Sequence, residues 1–428
     1  MKTRLFLGAL LVLVGSARVA RAQTPPCEDL ANPANSDTAI GPNRVFIQAA
    51  DTQVPVLKAL GAQLRAQATP ITIIYTPNGS CSNLPIVYNN TDFTSNAAGG
   101  GTFYIPAGFD PKTTAPTCTA PTVGSGKKAD LAISIVFPDK TDCPSLPAKP
   151  STVAVTRGPV QAMVFAVPGG VGLSAGSTQT TITAEEAYLI AGLGPLHAMV
   201  APWSDPTYFY GRTATKGTQI SVGANIGVAS AKWQLIADAG HQIDQSTQVL
   251  TNIVAQTTTG NAEKTLGILG VEIYDGARAM VHALAYRAYK QRKSYWPDSS
   301  TTAFDKANVR DGHYPLWSYV QYAAPQAAGG GALNPHAQTI IDLLVGNTVT
   351  TSPAFEPIDL VIANGLVPAC AMKVQRSVEG GDITPATIAE PCGCYFDFKT
   401  TGATTCTACT DNTPCGAGMC RHGYCEAK

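Results

Sequence analysis

Apolar and polar positions switch between two periods along the chain, and the switching predicts alternating strands and helices. Residues 45–48 (Val-Phe-Ile-Gln) read as a strand, after which Val54, Leu57, Leu60 and Leu64 recur at helical spacing. Residues 71–75 form a second, β-branched strand and residues 130–136 a third. A strand pair is expected at 152–155 and 160–167, closed by Pro168-Gly169-Gly170. Thr183 then opens a helix, with Glu186 three residues on completing a capping box. Helical patterns follow at 230–239, 245–256 and 274–290, with short strands at 209–212 and 267–271 between them. A Gly-rich loop at 326–332 precedes a last helix at 336–345. Strands alternating with helices point to an α/β chain with mostly parallel sheets.

The ends of the chain read differently. Lys2 and Arg4 precede an apolar run from Leu5 to Val14, and Ala20-Arg21-Ala22 supplies a small-x-small cleavage site. Residues 1–22 are therefore expected to be a signal peptide, too short in its apolar part to span a bilayer. Residues 23–43, rich in Pro, Asn, Ser and Thr, are an extended leader. Twelve cysteines in a chain bound for an oxidising compartment favour disulfides. Cys81, Cys118 and Cys143 lie in the body and Cys27 near the mature start. Seven more crowd the end: Cys392, Cys394, Cys406, Cys409, Cys415, Cys420 and Cys425. Seven is odd, so one needs an outside partner, and Cys370 is the nearest in sequence. The tail is expected to be a small stapled module that can be removed without loss of ligand binding, because it has too few large apolar residues for a core of its own. A zinc reading of Cys406-x-x-Cys409 with His422 is the alternative, and the irregular spacing speaks against it.

Charge narrows the function classes. The 29 basic and 29 acidic residues balance, which excludes a chain-wide electrostatic grip on nucleic acid. What remains is local chemistry at strand ends. Asp51-Thr52-Gln53 follows the first strand, Asn78-Gly79-Ser80-Cys81-Ser82 the second, and the run Arg212 to Thr218 follows 208–211. In open α/β sheets ligands sit at such strand ends, where helix N-termini offer N–H groups to an anion and Arg adds a planar fork.

These pieces, with Ala129 to Ser134, Trp203-Ser204-Asp205-Pro206 and Val309 to Leu316, resemble the phosphate-binding periplasmic proteins, the type 2 substrate-binding proteins of ABC transporters. The resemblance spans about residues 44–325 and implies a bilobal α/β fold of two mixed sheets flanked by helices. Lobe I would combine 44–151 with 266–366, lobe II would be 152–265, and 367–428 would be the Cys-rich tail. It implies non-catalytic capture of a small inorganic oxyanion between lobes, with no cofactor, no catalytic residue and no metal, for an ABC permease. Thr52, Ser80, Arg212, Gly217 and Thr218 take the binding role on this reading. The departures are Ala49-Ala50 for Gly-Ser or Gly-Ala, Ile135 for the Asp that accepts the proton of hydrogen phosphate, and Lys216 for the Ser of Ser-Gly-Thr. Ile135 removes the group that would repel a fully deprotonated anion, and an inward Lys216 would add positive charge to the ligand site.

Two other classes compete. Gly172-Leu173-Ser174-Ala175-Gly176 matches a nucleophile elbow, with Asp205 and His241 following in serine-hydrolase order, but no helix follows at once. A surface or structural protein that reuses the bilobal fold, with the tail meeting a surface partner, is the stronger alternative.

Overall fold

The computed structural model describes residues 24–28, 40–97, 99–170, 175–237, 240–347, 349 and 352–427. The expected signal peptide, most of the leader and Gly172 to Ser174 lie outside the described residues. Lobe I opens with β1 (Arg44–Ala50), α1 (Val54–Arg65), β2 (Thr72–Asn78) and α2 (Ser80–Tyr88). The short β3 (Thr102–Tyr104) and β4 (Thr117–Cys118) and then β5 (Leu131–Ser134) complete its first part. The long β6 (Val153–Pro168) crosses to lobe II, which continues with β7 (Thr181–Thr183), α3 (Ala184–Leu193) and α4 (Pro195–Ala198). It goes on through β8 (Phe209–Arg212), α5 (Gly217–Ile226), β9 (Gln242–Ile243), α6 (Ser246–Thr258) and β10 (Leu266–Gly270). Then come α7 (Val271–Ala277), β11 (Val281–Ala283), β12 (Ala285–Arg287) and α8 (Ala307–Arg310). The return strand β13 (Trp317–Pro325) re-enters lobe I, followed by α9 (Pro335–Val345) and α10 (Pro357–Ala363).

The strand order is β4-β3-β2-β1-β5-β13-β6-β10-β8-β9, with β11 also on β6. The two mixed sheets are thus joined through β6. Its residues 153–162 pair antiparallel with β13, and 163–168 pair with β10 and β11. The pairs β1–β2, β1–β5, β10–β8 and β8–β9 are parallel, while β2–β3 and β3–β4 at one edge are antiparallel. Helices cover the strands by their apolar stripes: Leu57, Leu60 and Leu64 of α1 are buried at the expected spacing. The capping box of α3 is formed, with Glu186 N–H donating to Thr183 Oγ1 and Thr183 N–H to Glu186 Oε2.

Four expectations need correction. The strand pair at 152–167 is one strand, because a register shift opposite Gly158-Pro159 absorbs the break in the pattern. Residues 274–290 are a short helix and two strands: Val281 and Ala283 alternate buried with exposed His282 and pair with β6. Of the helix expected at 230–239, the described residues 230–237 form only a single 3-10 turn, Ser230–Lys232, after which Trp233 turns inward, its Nε1–H donating to Val228 O and its ring stacked on Phe209; residues 238 and 239 lie outside the described residues. The return to lobe I does not come at 266, since β10 lies between β6 and β8 in the lobe II sheet; the chain returns with β13.

All twelve cysteines are paired: Cys27–Cys118, Cys81–Cys143, Cys370–Cys392, Cys394–Cys406, Cys409–Cys420 and Cys415–Cys425. The sulfurs of Cys406 and Cys409, the zinc alternative, are each spent in a bridge. The tail contains β14 (Val374–Gln375), β15 (Thr384–Pro385), α11 (Gly393–Thr401) and the hairpin of β16 (Met419–Arg421) and β17 (Tyr424–Glu426). The expected pairing of Cys370 with a tail cysteine is present, and the tail is also packed on the body beyond that anchor. Phe396 is buried in the main core beneath the Arg310 guanidinium, which donates to Ala371 O and pairs with Asp397. Tyr395 and Lys399 both reach Asp359 of α10.

Between β14 and β15 the tail runs across both lobes as a strap. Glu379 Oε1 accepts from Phe137 N–H in lobe I and from Ser318 Oγ on β13. Arg376 lies 3.9 Å over the Trp317 ring, donates to Pro315 O and reaches Asn225 of α5. Gly380, at φ +61°, sits so close to the Ala224 backbone of α5 that a Cβ would collide with it. Arg376 and Glu379 are both buried.

Candidate functional site

Three strand ends meet where the lobes face each other. β1 ends in the turn Asp51–Gln53 before α1, β2 in Gly79 before α2, and β8 in residues 213–216 before α5. Backbone packs on backbone here: Cys81 N–H donates across the lobes to Thr215 O. Gly79 is needed for that approach, since a Cβ would lie 2.8 Å from Thr215 O. A Cβ on Gly217 would run into Ile135 and Ser80 Oγ. Ser80 Oγ in turn accepts the Ile135 N–H at 3.1 Å.

Arg212 is fully buried and heavily engaged. Nε donates to Ile243 O at 3.1 Å, Nη1 to Ser246 Oγ, and Nη2 to Asp244 O and Asp51 Oδ2, both at 2.7 Å. Asp51 Oδ2 also accepts from Ser246 N–H and Oγ–H at 3.3 Å each. Lys216 Nζ lies 2.9 Å from Asp244 Oδ1. Burial alone would raise the Asp51 carboxyl, but the charges of Arg212 and Lys216 and the bonds from Arg212 and Ser246 outweigh it and hold it below the usual carboxylate range. Two cations and two carboxylates therefore leave these four groups neutral as a set. Beside them, Gln53 Nε2 donates to Gln161 Oε1, and Gln161 Nε2 to Glu272 Oε2, a chain of amides linking the lobes. Burial, with Asp51 adding to it, pushes the Glu272 carboxyl well above its ordinary value.

Of the six residues singled out in the sequence, Ser80 and Gly217 touch, while Arg212 and Lys216 stand in ion pairs. Thr52 and Thr218 are buried beside these contacts, and neither Oγ1 has a hydrogen-bond partner. Ile135 packs on Gly217 as an apolar wall. Three residues of this junction were not singled out in the sequence: Asp51, Asp244 and Ser246. The signal was present, because Ser246 begins a helix after a strand as the other turns do, and Asp51 sits in the turn that supplied Thr52.

No family model matches the chain, and no curated protein matches it. Solved structures do. A Clostridium perfringens protein described as a phosphate ABC transporter substrate-binding protein, with bound phosphate, is 10% identical at TM-score 0.49, covering 76% of this chain and 100% of that one. An ABC-type phosphate transport receptor from Vibrio cholerae is 12% identical at TM-score 0.45, with 76% and 100% covered. PstS from Borrelia burgdorferi is 12% identical at TM-score 0.38, with 76% and 98% covered. The likeness read in the sequence is met again. At these identities and TM-scores it carries no functional argument, which rests instead on the residues of the junction.

Next to the Asp51–Arg212 bridge lies a cavity of about 280 Å³. Asp51, Lys216, Asp244 and Ser246 form its polar side, and Lys58 and the stacked rings of Tyr75 and Phe103 the other. Of the six expected residues only Lys216 lines it, so the others are packed in a closed junction. Asp205 and His241 have structural contacts: Asp205 caps the turn Pro206–Tyr208, and His241 Nδ1 lies 3.1 Å from Phe209 O with its ring stacked on Tyr210. No helix among the described residues is long and apolar enough to cross a membrane.

Proposed function

We propose that the chain is an exported two-lobed binding protein that takes a small inorganic oxyanion at the lobe junction, with Thr52, Ser80, Lys216, Gly217, Thr218 and Arg212 as its surroundings. The observation that carries this reading is that the hydroxyls of Thr52, next in sequence to Asp51, and of Thr218, two residues after the buried Lys216, are themselves buried and unpartnered. A buried hydroxyl without a partner costs about 1–3 kcal/mol, and an anion accepting from both would recover that cost. The N-terminus of α5 adds N–H groups with a favourable dipole, whereas at α2 the Cys81 N–H is already spent on Thr215 O. Export is supported by the leader-like N-terminus and by six disulfides, which persist in oxidising compartments. An ABC permease is the partner this reading implies.

A thermal-shift series with phosphate, sulfate and molybdate tests it. Ligand that binds only the folded state raises the melting temperature in proportion to the logarithm of its concentration. At least one oxyanion should do so saturably at constant ionic strength, and a flat response to all three contradicts the proposal. A second reading, a structural or surface-interaction protein with permanently closed lobes, is favoured by the Asp51–Arg212 bridge and the strap across both lobes. Small-angle scattering that is unchanged by every oxyanion, together with a flat thermal series, would favour it.

A further inference from the structure

We infer that Asp51 is a built-in rival of the ligand: its carboxylate occupies the anion seat formed by Arg212 and Ser246, so oxyanion affinity is set by how readily Asp51 is displaced. The inference rests on the oxyanion reading of the junction and goes beyond it, because it names the residue that sets the strength of binding.

The seat is defined by its donors. Asp51 Oδ2 receives the Arg212 guanidinium at 2.7 Å and the hydroxyl and backbone N–H of Ser246 at 3.3 Å. Ser246 is the first residue of α6, a helix of 13 residues, so its N–H points out of a helix N-terminus. A guanidinium N–H, a hydroxyl and a helix N-terminal N–H are groups that hold an inorganic oxyanion, and here they hold a carboxylate of the same chain. The remaining bonds of Arg212 go to Ile243 O, Ser246 Oγ and Asp244 O, all in lobe II. They fix the fork whether or not the lobes are together. Among its described partners, Asp51 alone comes from lobe I. Separation of the lobes would withdraw Asp51 and leave the fork, Ser246 and Lys216 facing the gap.

Electrostatics makes the two occupants exclusive. Arg212 and Lys216 hold Asp51 ionised, and Asp244 already answers Lys216. An oxyanion placed beside an unmoved Asp51 would meet a like charge in a buried site, which disfavours its binding. The hydroxyls of Thr52 and Thr218 remain unpartnered in this closed form.

The test is calorimetric titration of inorganic phosphate and of sulfate into the wild type and Asp51→Asn, with circular dichroism to check folding. Asn keeps the size and one acceptor oxygen but removes the charge. The variant should bind the anion at least about tenfold more tightly than the wild type, a change of about 1.4 kcal/mol. Asp51→Ser, which also lacks the charge, should move affinity in the same direction and replaces Asn if that variant does not fold. In wild type, the side-chain carboxyl ¹³C resonance of Asp51 should shift as phosphate saturates the protein, because the group leaves Arg212. Binding that is unchanged or weaker in folded charge-free variants, or a stationary Asp51 resonance in a phosphate-saturated wild type, overturns the inference while leaving the oxyanion reading intact. Folded wild type and variants that all ignore both anions overturn the oxyanion reading, and this inference falls with it.

Discussion

Replacing Glu379 by glutamine should alter stability in a way that depends on pH, because this strap carboxyl is buried where a charge is poorly compensated. Burial pushes it up from 4.5 to about 7, against the opposing pull of the Ser318 bond, the Arg376 charge and the Phe137 N–H. Asp142, itself raised to about 6 by burial and then by Asp139, adds to the upward push. A carboxyl raised in the folded state keeps its proton after the unfolded chain has released it. Between pH 4.5 and about 7 the folded state therefore binds more protons, and each rise in pH lowers stability. The contribution of Glu379 is complete below pH 4.5 and lost above about 7. At about 1.4 kcal/mol per pH unit, that interval amounts to about 3 kcal/mol. Glutamine does not titrate, so the stability of Glu379→Gln relative to wild type should rise by about 2–4 kcal/mol between pH 4.5 and pH 8. The slope from Asp142 is present in both proteins and largely cancels. Urea unfolding with disulfides intact, followed by tryptophan fluorescence at several pH values, measures the difference. A difference that stays constant within about 0.5 kcal/mol would refute a buried, weakly compensated Glu379.

Two further outcomes follow from the same contacts. Thr218→Val should raise ligand-free stability by about 1 kcal/mol, because it removes an unpartnered buried hydroxyl, and should weaken oxyanion binding; paired unfolding and calorimetry check the two signs. Replacing Cys370 and Cys392 together by serine should cost about 2–4 kcal/mol, since the bridge closes a loop spanning 22 positions that carries the strap; non-reducing peptide maps and urea midpoints read it.

The sequence revealed what local periodicity can encode. Leu57, Leu60 and Leu64 have one spacing and one buried face, and Thr183 with Glu186 fixes a helix start within four residues. Residues 274–290 read as a helix because Ala, Leu, Met and Arg suit one, while pairing with β6 and β7 converts 281–283 and 285–287 into strands. The lobe boundary was misplaced for a similar reason: a short apolar strand such as Leu266–Gly270 does not declare its sheet, and its neighbours β6 and β8 are distant in sequence. The strand-end turns were legible, and so were Arg212 and Thr218 as candidates. The bridge from Asp51 to Arg212 spans 161 positions and depends on lobe placement, which no local pattern carries. The strap was hidden likewise, because Arg376 and Glu379 look like ordinary surface charges until Trp317, Phe137 and Ser318 are brought beneath them.

A crystal structure of the protein with selenate, located by its anomalous scattering, tests the central claim most directly. The account predicts one selenium peak at the lobe junction, its oxygens within hydrogen-bond distance of Arg212, Thr52 and Thr218, and the Asp51 carboxylate displaced from the guanidinium. Selenate bound elsewhere with the Asp51–Arg212 bridge intact, or no selenate at concentrations that saturate a solution titration, would contradict it.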